Sequence, residues 1–214
     1  MTQELTRFLL IRHGEVEESF HKIFGGRIDM NLSARGREQA KMLARFLQNK
    51  KVDAIYASPM KRVQQTLAPF LANGSPAQKI LDDLREVDFG DWTGLNWEQV
   101  CEKFNLLTHE WLDHIERGVA PNSENGPQFR ARVEPCVRDI IKNHPGQTVA
   151  IFCHGGVIRM ILSILLDLPL PRTNMFEVEY ASITQIALYP RHAELELQNF
   201  TPWRDLVQDN HHSQ

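Results

Sequence analysis

Apolar residues along the chain fall into short unbroken runs separated by amphipathic stretches. Arg7 to Ile11 (RFLLI), Asp53 to Ala57 (DAIYA) and Thr148 to Cys153 (TVAIFC) have the continuous hydrophobicity of strands buried on both faces. Between them the period changes to that of a helix. Ala40, Leu43, Ala44 and Leu47 predict a helix over 34–48 with Ser33 as its N-cap. Val63, Leu67 and Leu71 predict a second helix after Ser58-Pro59, with Ser58 as cap, Pro59 at the first helical position, and Pro69 kinking or shortening it. Residues 80–86 read as an extended connection, 94–118 as mostly helical around Trp97, Cys101, Phe104 and Trp111, and 121–127 (PNSENGP) as a loop. Val133, Val137 and Ile140 mark a helix over 129–142, and an apolar helix follows over 157–166. Alternating patterns at 182–188 and 193–200, joined by a turn at 189–192, predict a terminal hairpin, and the polar tail after Arg204 reads as frayed.

Strands alternating with helices predict a three-layer α/β fold: a mainly parallel sheet flanked by helices on both faces, with a C-terminal antiparallel hairpin. No repeat, low-complexity block or linker interrupts it. Residues 1–214 therefore read as a single domain, with 94–127 as a helical and loop insertion over one end of the sheet.

Composition narrows the function classes. A net charge of −3 argues against general nucleic-acid binding. Three cysteines without paired spacing (Cys101, Cys136, Cys153) fit a reducing compartment, and Cys153 reads as a small core residue. The run at 8–11 is too short for a signal segment, and 157–170 is broken by Arg159, Asp167 and Pro169, so no membrane span is expected. A cytoplasmic protein is the expectation; a monomer and a homodimer both remain open.

The chemistry lies at the strand ends. The first strand ends at Arg12-His13-Gly14, the second at Ser58-Pro59 with Arg62 one turn on, the third at His154-Gly155-Gly156. Ligands of open α/β sheets bind beyond the carboxyl ends of the strands. If these strands are neighbours, two imidazoles and two guanidiniums converge. Guanidinium forks match phosphate oxygens, glycine lets backbone approach an anion, and a helix starting near Gly155 would point its N-terminus there. No aspartate cluster accompanies them, so arginines must spread the charge and an imidazole can act as nucleophile. Glu86 is a candidate proton donor to a leaving group. His109 and His114, five apart, do not share a helix face and suggest no metal site. His211-His212 reads as solvated tail. Phe20, Phe24, Arg27 and Trp92 are candidate substrate contacts, whereas Trp97, Phe104 and Trp111 read as core.

These residues resemble the histidine phosphatase superfamily, also called phosphoglycerate mutase-like, from Phe8 to about Leu188. The resemblance rests on four blocks in order after Leu10-Ile11-Arg12-His13-Gly14-Glu15: Leu32 to Gly36, Ser58 to Leu67, Glu86 to Gly94, and His154-Gly155-Gly156. It implies that His13 is phosphorylated, that Arg12 and Arg62 clamp the phosphoryl oxygens, and that His154 stabilises the transition state. Glu86 would protonate the leaving group and then activate water. Asp88-Phe89-Gly90-Asp91-Trp92 resembles the phosphatase branch, which includes α-ribazole and broad-specificity phosphatases. Where many members carry Asn and Gln, this chain has Ser19, which can keep one hydrogen bond to phosphate, and Gly25, which offers only backbone; the family's Gly-Gly-Glu-Ser stretch stands as Asn122-Ser123-Glu124-Asn125. The resemblance implies a metal- and cofactor-independent phosphomonoesterase acting on a small organic phosphate, with α-ribazole phosphate and sugar phosphates as candidates. A bisphosphoglycerate-dependent phosphoglycerate mutase is the first alternative. A non-catalytic phosphoprotein-binding member is the second, opposed by the presence of all five reactive residues.

Overall fold

The first strand, β1 (Thr6–Arg12), lies inside the sheet with a neighbour on each side. The computed structural model describes residues 5–72, 74–106 and 110–206. His109, His211 and His212 lie outside them. Six strands run in the order β3-β2-β4-β1-β5-β6, with β2 Ala54–Ala57, β3 Gln78–Ile80, β4 Thr148–Cys153, β5 Ile183–Leu188 and β6 Ala193–Phe200. β1, β2, β3 and β4 are mutually parallel; β5 pairs antiparallel with β1, and β6 pairs antiparallel with β5.

Alternation along the central strands makes two cores. Phe8 and Leu10 of β1 and Val149, Ile151 and Cys153 of β4 face one side, against α5 (Gly126–Asn143) and α6 (Gly155–Leu165). Leu9, Ile11, Ala150 and Phe152 face the other, against α1 (Ala34–Gln48) and α2 (Lys61–Leu71). A period-2 strand with apolar residues at every position can only be covered on both faces, which gives the three layers. Each apolar position sits at or near full burial, so each contributes on the order of 1.5–3 kcal/mol. Two short helices, α3 (Trp97–Phe104) and α4 (Trp111–Glu116), cover the carboxyl end of the sheet, and α7 (Pro202–Asp205) follows β6.

Local chemistry sets the boundaries. Ser33 caps α1, its Oγ accepting from Gly36 N–H at 2.9 Å. Asn96 and Asn125 each close a capping box at the starts of α3 and α5. Pro69 sits within α2, which ends two residues later at Leu71. Three expectations fail. Residues 80–86 are not merely extended: the edge strand β3 precedes a 3-10 turn at Asp82–Leu84. Ser58 does not cap α2 and Pro59 does not open it: the helix starts at Lys61 behind Met60, which makes no side-chain cap bond, and the Ser58 hydroxyl is engaged by His154 instead.

The register explains the site. Arg12 of β1 pairs with Cys153 of β4, so His13 and His154 leave the sheet side by side. Ala57 pairs with Phe152, which brings Ser58 to the same end. The loop carrying His13 is locked against α1 at two glycines. A Cβ at Gly14 would lie 2.7 Å from Gly36 O, and one at Gly36 would lie 2.0 Å from Glu15 O. Helix propensity alone favours Gly36→Ala by about 0.5–1 kcal/mol. The backbone clash should outweigh this and lower stability by about 1–3 kcal/mol, read as a lower urea midpoint. An unchanged or raised midpoint would mean that this contact is loose.

Candidate active site

His13 is buried at the end of β1, and its Nδ1 lies 2.8 Å from Gly14 O. A carbonyl only accepts, so Nδ1 carries the proton and Nε2 keeps its lone pair. Arg62, on the first turn of α2, directs its Nε–H at two acceptors at once: His13 Nε2 at 3.2 Å and His154 Nδ1 at 3.2 Å. One N–H shared between two nitrogens satisfies neither fully, and an incoming phosphoryl oxygen can take it. The other nitrogens of Arg62 are fixed, Nη1 donating to Ile28 O at 2.7 Å and Nη2 to Gly26 O at 3.0 Å. Because His154 Nδ1 accepts from Arg62, its Nε2 carries the proton and donates to Ser58 Oγ at 2.9 Å. The rings of His13 and His154 meet edge to face with centroids 5.3 Å apart.

Arg12 completes the cationic floor. Its Nη1 donates to Val178 O at 2.6 Å, while its buried Nε has no hydrogen-bond partner among the described residues. Glu86 sits across the first turn of α6. Its Oε1 accepts from Val87 N–H at 3.0 Å and its Oε2 from Gly156 N–H at 3.2 Å. A Cβ at Gly156 would come 2.5 Å from Glu86 Oε1, so a side chain there would push that carboxylate out of its place. Gly155 lines the pocket and packs on Arg12; Gly25 also lines it, with the Met30 methyl where a Gly25 side chain would go.

Electrostatics follow from burial. Desolvation, then the Arg62 guanidinium, push the pKa of both His13 and His154 well below the ordinary imidazole value, so both are neutral near pH 7. Burial lowers Arg62 to about 10, which leaves it charged. The result is a dry floor of guanidiniums facing uncharged imidazoles, with Glu86 as the carboxylate lining the cavity. Such a floor favours a dianion.

The cavity has a volume of about 200 Å³. Its outer wall is apolar, formed by Phe20, Ile23, Phe24, Phe89 and Trp111. Phe24 packs at a tilt against Phe89, with centroids 4.9 Å apart, and against Trp92 at 5.3 Å, which fixes that wall. Of the expected substrate contacts, Phe20 and Phe24 line the cavity. Trp92 is fully buried beneath it, and Arg27 is exposed, donating instead to Glu86 O. Trp97, Phe104 and Trp111 pack on the core as expected, and Trp111 also lines the cavity. Ser19 is exposed in the 3-10 turn Glu18–Phe20, where the chain turns its side chain away from the lining. Arg159 and Tyr180 also line the cavity, and neither is among the expected site residues. Arg159 lies four residues after Gly155, one turn along α6, and that spacing was a readable signal; Tyr180 offered none.

Fold and site together define an α/β protein whose cavity floor of imidazoles and guanidiniums suits a phosphoryl group. The chain belongs to the histidine phosphatase superfamily (branch 1), whose family model matches residues 8–201. It is 30% identical over 198 residues to phosphoserine phosphatase 1 of Hydrogenobacter thermophilus, covering 92% of this chain and 93% of that one. It is 25% identical over 193 residues to the adenosylcobalamin/α-ribazole phosphatase of Escherichia coli, covering 90% of this chain and 95% of the relative. The crystal structure of the α-ribazole phosphatase from Shigella flexneri superposes with a TM-score of 0.79 at 26% identity, over 91% of this chain and 96% of that one. The chain is a phosphoric monoester hydrolase acting on small phosphates, and these relatives do not favour the mutase alternative. Among the described residues no helix is long and apolar enough to cross a membrane.

Proposed function

We propose that the protein hydrolyses a small organic phosphomonoester through a phosphohistidine at His13, without a metal, in the cytoplasm and as one domain whose residues 94–127 roof the pocket. The observation that carries this reading is the Arg62 Nε–H held 3.2 Å from both His13 Nε2 and His154 Nδ1. His13 Nε2 attacks phosphorus in line, the P–O ester bond breaks, and Glu86 gives its proton to the leaving oxygen. Water then attacks the phosphoryl group on His13, Glu86 accepts a proton from it, and the P–N bond breaks to release inorganic phosphate. Arg12 and Arg62 hold the equatorial oxygens throughout, and His154, protonated at Nδ1 as the dianion arrives, hydrogen-bonds a third. Gly25 and Gly155 border the phosphate with backbone alone. Ser19, exposed and outside the lining, has no part in this scheme.

The wall of Phe20, Phe24, Phe89 and Trp111 suits an apolar or aromatic organic part. An ester of the α-ribazole phosphate type, with its aromatic base, fits that wall. The expected result is hydrolysis of an aryl phosphate at an undiminished rate in excess EDTA. A quenched turnover should yield an acid-labile, base-stable phosphoryl label that maps to His13. Loss of activity on chelation, or a label on another residue, would overturn the mechanism.

A further inference from the structure

Among the described residues Arg12, which lines the pocket from the end of a strand, is held by one hydrogen bond, from Nη1 to Val178 O, and its Nε is unpartnered. A single bond leaves the guanidinium free to turn about it, so a second contact is needed to set its plane. The candidate is Tyr180, whose ring lies over the guanidinium with 4.2 Å from Cζ to the ring centroid. The same ring lies 5.7 Å from that of His13, tilted by 49°. Gly155 also packs on this guanidinium, since a Cβ there would stand 3.6 Å from Nε and 3.8 Å from Cζ.

Tyr180 is itself tightly held, although its segment is neither helix nor strand. Successive carbonyls from 176 to 180 are all occupied. Phe176 O accepts from Arg159 Nη2 at 3.1 Å, Glu177 O from Gln198, and Val178 O from Arg12 Nη1 at 2.6 Å. Glu179 O accepts from Ser182 N–H at 3.3 Å, and Tyr180 O from the Trp203 indole N–H at 2.9 Å. Ala181 N–H donates to His13 O at 3.0 Å and ties the end of the segment to the strand that carries the nucleophile. A strap bonded at every carbonyl has few alternative conformations, so the ring arrives already placed.

We propose that Tyr180 is a positioning residue for the phosphate clamp: its ring face fixes the plane of Arg12 so that the free N–H edge meets the phosphoryl oxygens. The proposal rests on the clamp role of Arg12 given above. The ring face, not the hydroxyl, does the holding. A guanidinium on an aromatic face in a desolvated site is restrained in plane while its in-plane donors stay available. Leucine fills similar space but presents no π face; phenylalanine keeps the face and loses the hydroxyl.

The test measures competitive inhibition by inorganic phosphate and kcat/KM for an aryl phosphate in Tyr180→Leu, Tyr180→Phe and Arg12→Ala. Tyr180→Leu should weaken phosphate inhibition and lower kcat/KM about tenfold, the scale of a desolvated cation–π contact. Tyr180→Phe should return to within about threefold of wild type. In the Arg12→Ala background, Tyr180→Leu should add nothing further. Equal affinities for Leu and Phe at 180, whether both strong or both weak, would overturn the role of the face. If Arg12→Ala leaves phosphate inhibition unchanged, the clamp reading itself falls; if Arg12→Ala weakens it and Tyr180→Leu does not, only the present proposal falls. Unfolding midpoints are followed in parallel, and Tyr180→Met replaces Leu if that variant does not fold.

Discussion

His13→Ala is expected to lower kcat/KM for an aryl phosphate by about 10⁴ or more, with the fold intact. The size of the loss follows from the tautomer. Gly14 O fixes the proton on Nδ1, so Nε2 is the lone pair that covalent transfer needs, and Arg62 already orients toward it. His154 cannot substitute, because its Nδ1 faces Arg62 from a ring centred 5.3 Å away on a different strand end. The comparison variant His154→Ala removes only a hydrogen-bond donor to the phosphoryl group, so a smaller loss of about 10²–10³ is expected. The order of the two effects is the informative result. Comparable losses would mean that the two imidazoles act as one unit and would leave the nucleophile to be assigned by the phosphoryl label, and an active His13→Ala would end the phosphohistidine mechanism. Added imidazole should restore part of the activity of His13→Ala and none of that of His154→Ala.

Why some of this could be read from sequence and some could not is a matter of range. The strands at 7–11 and 148–153 announce themselves because burial on both faces requires apolar residues at consecutive positions. Reactive residues placed directly after such strands then share one end of the sheet, so the sequence alone groups His13, His154 and Arg62. Ser58 was misread because Ser-Pro before a helix is a local cap signal, whereas its actual partner, His154, is 96 residues away. β3 is three residues at an edge, too short to show a period. Tyr180 lies in a segment without periodicity, and it reaches the site only because Ile183 of β5 pairs with Ile11 of β1. Arg159 interrupts an apolar helix, which sequence reading took as a break in hydrophobicity; on α6 it is one turn from Gly155 and under the pocket. Ser19 shows the converse error. The resemblance placed it at a phosphate-holding position, but the 3-10 turn exposes it while turning Phe20 inward.

Stability should fall as pH drops below about 6.5, and the two catalytic imidazoles should cause most of the early loss. Burial, with Arg62 adding to it, holds both His13 and His154 well below the ordinary value, so the folded protein keeps them neutral where the unfolded chain would protonate them. The sign follows directly. Above the unfolded value neither state binds these protons and the contribution is fully present. As pH falls from about 6.5 towards the depressed folded values, the unfolded state takes up two more protons than the native one. The slope then approaches about 2.7 kcal/mol per pH unit, two protons at about 1.36 each. Urea unfolding at successive pH values would measure it, with a His13→Asn/His154→Gln double variant as reference. The wild type should lose stability more steeply than the variant between about pH 6.5 and 5. Parallel slopes would mean that the site admits enough water or anion to charge the imidazoles in the native state. Inorganic phosphate supplies the discriminating control. A bound dianion favours a proton on His154 Nδ1, which removes one of the two unmatched protons, so saturating phosphate should roughly halve the excess slope while raising the midpoint at every pH. The same neutrality bears on catalysis. His13 stays unprotonated, and therefore nucleophilic, below the pH at which a solvent-exposed imidazole would be charged, so the acidic limb of kcat/KM assigned to His13 should lie below pH 6.5.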